Sequence, residues 1–157
     1  MEKNEADKHD NLTQWVTFGM DGETYGIDVM QVQEVLRITD ITPVPGAQPY
    51  VLGIINLRGN VVTVIDTRVR FDLVHKTPDE QSRIIIIESH GQVVGLLVDA
   101  VSEVAYLRES EIGSAPLTGA EDSRYIHGVH SADGKLLILV DVNKLLSESE
   151  VQEMAAS

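Results

Sequence analysis

The sequence predicts an all-β protein built from two similar small barrels, with helix as a minor component. Two observations carry this. Four X-Gly pairs, Asp21-Gly22, Arg58-Gly59, His90-Gly91 and Asp133-Gly134, each stand between β-rich runs, and glycine takes the positive φ that a tight hairpin demands. The pattern also occurs twice. Gly53, Gly59 and Asp66 superpose on Gly128, Gly134 and Asp141 with one constant shift. Gly22, Gly26, Glu34 and Val35 superpose on Gly91, Gly95, Glu103 and Val104 with another. The two shifts differ by a few residues, as an insertion in a connecting loop produces, so the chain reads as one duplicated β-unit. Closed or nearly closed barrels hide strand edges, which a chain rich in β-branched residues needs in order to stay soluble.

Taken in order, residues 1–13 read as a solvated tail, since Met1 to Asn11 mixes charged and amide residues without periodicity. Trp15 to Phe18 starts a strand, and Thr24 to Val29 returns from the Asp21-Gly22 turn. Val29, Val32, Val35 and Leu36 then recur at helical spacing and predict a short helix or an irregular strand crossing, with Glu34 on its polar side. Ile38 to Val44 leads into a turn at Pro43-Val44-Pro45-Gly46. Pro49 to Leu52 predicts a single helical turn before the Arg58 hairpin. Val61 to Ile65 is almost wholly apolar and reads as a strand buried on both faces. Asp66 is placed to cap a short helical turn over Thr67 to Phe71.

The polar stretch 74–82 marks the boundary between the repeats, giving one unit over about 14–78 and a second over about 83–147. Ile84 to Ile87 opens the second unit, and Val93 to Val98 returns from its turn. Val101, Val104 and Leu107 echo the helical spacing of the first half. A second long loop covers 108–123, and a last hairpin runs from Tyr125 to Val140 around Asp133-Gly134. Val142 to Leu146 and then 148–157 read as C-terminal helix and tail, with Ser147 as a cap.

Composition narrows the function. The net charge is −13, from 12 basic and 25 acidic residues. Such a surface repels nucleic-acid backbones and anionic lipid headgroups, so neither nucleic acid nor membrane is expected as a partner. At 157 residues the chain can bury roughly 70% of its unfolded surface without staples, and it has no cysteine. The longest apolar runs, Ile84–Ile87 and Leu136–Val140, are strand-length and too short to span a bilayer. The N-terminus lacks the apolar segment of a signal peptide.

Signs of catalysis are absent. No glycine-rich loop precedes a helix, and no serine sits in a nucleophile elbow. His127 and His130 share an H-x-x-H spacing, but residues three apart on a strand face opposite ways, so no metal or other cofactor is expected. Asp66 and Asp141 occupy equivalent repeat positions and read as strand-end caps. Glu34 and Arg58 stand out as charges in structurally committed apolar stretches. Glu34 is matched by Glu103, but Arg58 is matched by Asp133. The hairpin as such therefore does not require Arg58, and arginine is favoured as an interface anchor.

Several of these segments carry a resemblance. Tyr25-Gly26-Ile27-Asp28, Val32-Gln33-Glu34-Val35, Gly53 through Asn56-Leu57-Arg58-Gly59, and Val64-Ile65-Asp66 together resemble the CheW family of bacterial chemotaxis coupling proteins. Val94 to Asp99 and Ile138 to Asp141 extend the match over about residues 14–147. The resemblance implies two SH3-like five-stranded β-barrel subdomains, no catalytic activity and a cytoplasmic location at receptor arrays beneath the inner membrane. It implies a bridge between the cytoplasmic tips of methyl-accepting chemotaxis receptors and the regulatory domain of the histidine kinase CheA. It places Glu34 and Arg58 close together, near a receptor-binding groove that takes in Val32, Gly53 and Val104. Kinase contacts are expected in the loops around Ile38–Val44 and Ile112–Leu117. Two other readings remain open at this point: a scaffold of the same kind serving another signalling array, and a small-molecule-binding protein.

Overall fold

Ten strands build two five-stranded sheets in the computed structural model, which describes residues 10–114 and 125–156. In chain order they are β1 (Leu12–Met20), β2 (Glu23–Asp28), β3 (Val32–Arg37), β4 (Val51–Leu57), β5 (Asn60–Asp66), β6 (Arg83–Ser89), β7 (Gln92–Val98), β8 (Ala100–Arg108), β9 (Ile126–Ala132) and β10 (Lys135–Val140). Three short helices are α1 (Thr67–Arg70), α2 (Val142–Leu145) and α3 (Glu148–Ala156). All four expected hairpin turns form, and both residues of each X-Gly pair have positive φ, from 50° to 89°.

The sequence leaves open whether strands cross between the two repeats. They do. One, the terminal sheet, has the order β8-β1-β2-β10-β9, and the other, the middle sheet, β3-β6-β7-β5-β4. Each repeat gives its first hairpin to the sheet that carries the last two strands of the other. Replacing every strand by its repeat equivalent turns one order into the other. The exchanged hairpins join through parallel pairs, β10 with β2 and β5 with β7.

Side-chain alternation then sorts the core. Odd positions of Ile84–Ile87 and even positions of Val94–Val98 face a central core shared by both sheets, with Phe18, Met20, Ile27 and Ile65. The opposite parity, Ile84, Ile86, Val62, Val64 and Leu97, packs on the other face of the middle sheet. Trp15, Leu107 and Leu139 do the same for the terminal sheet. Burial on both faces is why β6 reads as unbroken isoleucine. It also explains the repeated Gly26 and Gly95. A Cβ on Gly95 would lie 2.9 Å from Ile84 Cγ2, and one on Gly26 would lie 3.1 Å from Leu139 Cδ2.

The repeated aspartates are caps, as the sequence predicts. Asp66 Oδ1 accepts from the Arg68 and Val69 amides, and Asp141 accepts from Asn143. Ser147 caps α3 reciprocally with Glu150, whose carboxylate accepts the Ser147 N–H. The residue two past each aspartate holds the tip of an exchanged hairpin. Arg68 donates to Asp21 and to Asp99, and Asn143 accepts from the His90 amide.

Of the two readings after Val29, the irregular strand is the one observed: a 3₁₀ turn, Val29–Gln31, leads into the bulged strand β3. Three expectations need correction. The echo at Val101 to Leu107 is strand β8. Bulges mislead the periodicity in both, because the register slips between Val32 and Glu34 on β3 and opposite Val16–Phe18 on β8. Pro49-Tyr50 forms a turn, and strand β4 begins at Val51 instead of a helical turn. Val61 is 71% exposed, so β5 is buried on both faces only from Val62 onward.

A candidate partner-binding surface

Glu34 and Arg58 come together. Glu34 lies just past the β3 bulge, on one edge strand of the middle sheet. Arg58 occupies the turn that leaves β4, the opposite edge strand. The guanidinium donates through Nη1 to Glu34 Oε1 at 3.2 Å and through Nη2 to Oε2. Such a paired contact fixes orientation as well as distance. Arg58's side chain is 70% exposed and Glu34's 28%. The arginine's hydrogen bond, and secondarily its charge, hold the Glu34 carboxyl below its ordinary range. Hydrogen bonding and charge from Glu34 in turn raise the arginine's pKa.

The backbone brings the two edges of that sheet near each other. Beyond β3 the chain runs to Thr42, which exchanges both backbone hydrogen bonds with Ile54 on β4, at 2.9 and 2.8 Å. Gly53 is buried beneath this crossing. Its φ is 154°, and a Cβ there would sit 2.2 Å from the Thr42 carbonyl oxygen. The terminal sheet repeats the device, with Gly113 bridging to Val129 and Gly128 beneath it. Ile41 and Ile112 stand beside the two glycines and pack on the two sheet cores.

The remaining predicted residues scatter around this frame. Val32 lies on β3 and packs on the central core. Gly53 is at the crossing and presents no side chain. Val104 is half-buried on β8, in the other sheet, opposite Val16. Ile38 is exposed just past β3. Val44 lines an apolar groove of about 350 Å³ with Ile54, Val61, Val93, Val151 and Met154. Ile112 is half-buried against the Trp15–Leu139 core. Leu117 lies outside the described residues.

Sequence reasoning missed three features of this surface. Asn56 braces the Arg58 turn, its side-chain oxygen accepting the Gly59 N–H at 2.8 Å. Met30 is 87% exposed in the 3₁₀ turn beside β3. Val61 opens the apolar groove. An apolar residue two places after a hairpin turn was the available signal for Val61; Asn56 gave none beyond its place in the turn motif.

Comparisons with known proteins agree on kinship. The CheW-like domain model matches residues 14–150. The chain is 37% identical to the chemotaxis protein CheW of Bacillus subtilis over 138 residues, covering 87% of this chain and 88% of that one. It is 33% identical to the chemotaxis protein CheW of Treponema pallidum over 153 residues, covering 94% and 89%. Among solved structures it resembles the scaffolding protein TtCheW of Thermoanaerobacter tengcongensis, with a TM-score of 0.81, 35% identity, and 89% and 96% of the two chains covered. Two crossed five-stranded sheets, with a family match that spans nearly all of both, establish that this chain belongs to the CheW family.

Proposed function

We propose that the protein is a non-catalytic adaptor of bacterial chemotaxis, linking receptor cytoplasmic tips to the regulatory domain of the kinase CheA. The observation that carries this reading is the Glu34–Arg58 pair. It is open to solvent, mutually oriented and held from the two edges of one sheet, and an oriented surface charge pair steers a partner more than it stabilises a fold. The receptor's helical tip docks against this pair, with Val32 and the exposed Met30 beside it and Val104 on the neighbouring sheet. An amphipathic helix suits such a mixed apolar and charged surface. Kinase contacts lie at the loop crossings, around Ile38, Val44 and Ile112; Leu117 is assigned to them from the family resemblance alone. The backbone bridges at Thr42 and Gly113 support a reading of each sheet as an SH3-like barrel. The working place is the cytoplasm, at receptor arrays.

Coupling by such an adaptor is a linkage free energy: receptor state alters kinase activity through contacts shared in one assembly. Titration calorimetry with the isolated CheA regulatory domain, and separately with a soluble receptor-tip fragment, tests the reading. Saturable binding to both supports it. Binding to neither points to a scaffold for another signalling array.

A further inference from the structure

Arg58 occupies an awkward place. It is the first residue of a two-residue turn and has φ 52°, in the left-handed region that L-residues with long side chains seldom occupy. Two of the other three turns place Asp21 and Asp133 there, a residue type that tolerates this conformation. Asp21 and His90 also make side-chain contacts beyond their turns, but Arg58 has the longest reach to control, because a guanidinium at the end of three methylenes must meet the Glu34 carboxylate on a different strand. Small errors in the turn backbone translate into large errors at the far end of that side chain.

The structure supplies a brace. Asn56 stands on β4, two residues before Arg58 and paired with Val61. Its Oδ1 accepts the Gly59 N–H at 2.8 Å, spanning the turn from below. The Asp21 and His90 turns are held instead from across the molecule, by Asp99 and Asn143. At the Asp133 turn, where no arginine has to be aimed, the residue equivalent to Asn56 is Ser131.

We infer that Asn56 is a positioning residue: by capping the turn through Gly59 it fixes the direction in which Arg58 leaves the backbone, and so sets the Glu34–Arg58 pair that a partner meets. The consequence for receptor binding rests on the adaptor reading above; the positioning itself does not.

The test therefore reads the pair directly, without a partner. The titration of the Glu34 carboxyl is followed by NMR in the unsubstituted protein, Asn56→Ala, Arg58→Ala and the double variant. The Arg58 Nε–Hε heteronuclear NOE is recorded in the unsubstituted protein, Asn56→Ala and Asn56→Asp. Asn56→Ala is expected to shift the Glu34 midpoint upward, toward its value in Arg58→Ala. In the Arg58→Ala background it should shift it no further. The Arg58 side chain should lose order in Asn56→Ala and keep it in Asn56→Asp, which retains the acceptor. A Glu34 midpoint in Asn56→Ala that overlays the unsubstituted protein, or an upward shift of equal size in both backgrounds, overturns the inference. So does an Arg58 side chain as ordered in Asn56→Ala as in the unsubstituted protein. Receptor-tip binding by Asn56→Ala is then measured separately. If the pair is disturbed and binding is unchanged, the positioning role stands and the receptor reading of the pair fails.

Discussion

Glu34 and Arg58 meet although they belong to opposite edges of one five-stranded sheet, separated in its order by β6, β7 and β5. The contact is possible because the chain leaving β3 crosses back to β4 at Thr42 and carries one edge toward the other. A pair assembled in this way reports on the shape of the whole sheet while remaining open to solvent.

Removing the arginine should separate binding from folding. Arg58→Ala should melt within about 2 °C of the unsubstituted protein, because exposed ion pairs contribute little. Affinity for a receptor-tip fragment should fall about tenfold, the loss expected of an interface anchor. Thermal melts and titration calorimetry on the same sample check both halves. A large drop in melting temperature would assign Arg58 to the fold.

The glycines should divide by what surrounds them. Gly53→Ala forces a methyl into the Thr42 carbonyl and should cost at least about 2 kcal/mol. At Gly134 nothing lies within 4 Å of an added Cβ, so Gly134→Ala should lose only about 1 kcal/mol for its positive φ. Urea unfolding of the two variants gives the comparison, and equal losses would contradict it.

Arg68 should fasten the exchanged hairpin. Its guanidinium reaches Asp99 Oδ2 at 2.6 Å and Asp21 Oδ1 at 3.1 Å, with only 13% of the side chain exposed. Arg68→Ala should destabilise by about 2 kcal/mol, as expected when a charge-assisted hydrogen bond is lost from a part-buried site. Amide exchange should quicken first at Asp21 and Gly22. Uniform protection across the terminal sheet would argue against a local latch.

Acid should loosen α3. Burial pushes the Glu150 carboxyl upward, but the Ser147 N–H bond and the Arg70 guanidinium outweigh it, so its pKa is lowered. A carboxyl depressed on folding contributes stability above its unfolded value of about 4.3, and that contribution is lost as pH falls through the lower folded value. Glu150→Gln should lower the melting temperature by about 2–4 °C at pH 7. The difference should shrink below pH 4.3. Melts taken from pH 7 to pH 3 test this, and a pH-independent gap would refute it.

Local features of the fold were legible in the chain, and its connectivity was not. Turns at X-Gly pairs, aspartate caps and the Ser147 box are decided by neighbours in sequence, so residue type suffices to find them. Alternation reveals which face a residue takes but not which strand lies beside it, so the sequence leaves strand exchange between the repeats open and does not say which hairpins exchange. Bulges at Gln33 and in β8 inserted an extra residue and imitated helical spacing. For the site, Glu34 and Arg58 were readable as charges out of place. Gly53 was named for a surface role, whereas its nearest surroundings are the Thr42 backbone. The groove at Val61 depends on tertiary contacts that spacing does not encode, whereas the brace at Asn56 is a local contact three residues from Gly59 that depends on the side-chain rotamer as well as on residue type.

Adaptor coupling is tested most directly by reconstitution. CheA autophosphorylation is measured on membranes that carry a chemoreceptor, with and without this protein and with its Arg58→Ala variant. Coupling predicts that the protein raises kinase activity, that attractant brings it down again, and that the Arg58→Ala variant does neither well. Kinase activity that stays at the level of CheA alone, with receptors present and the protein folded and in excess, would contradict the account.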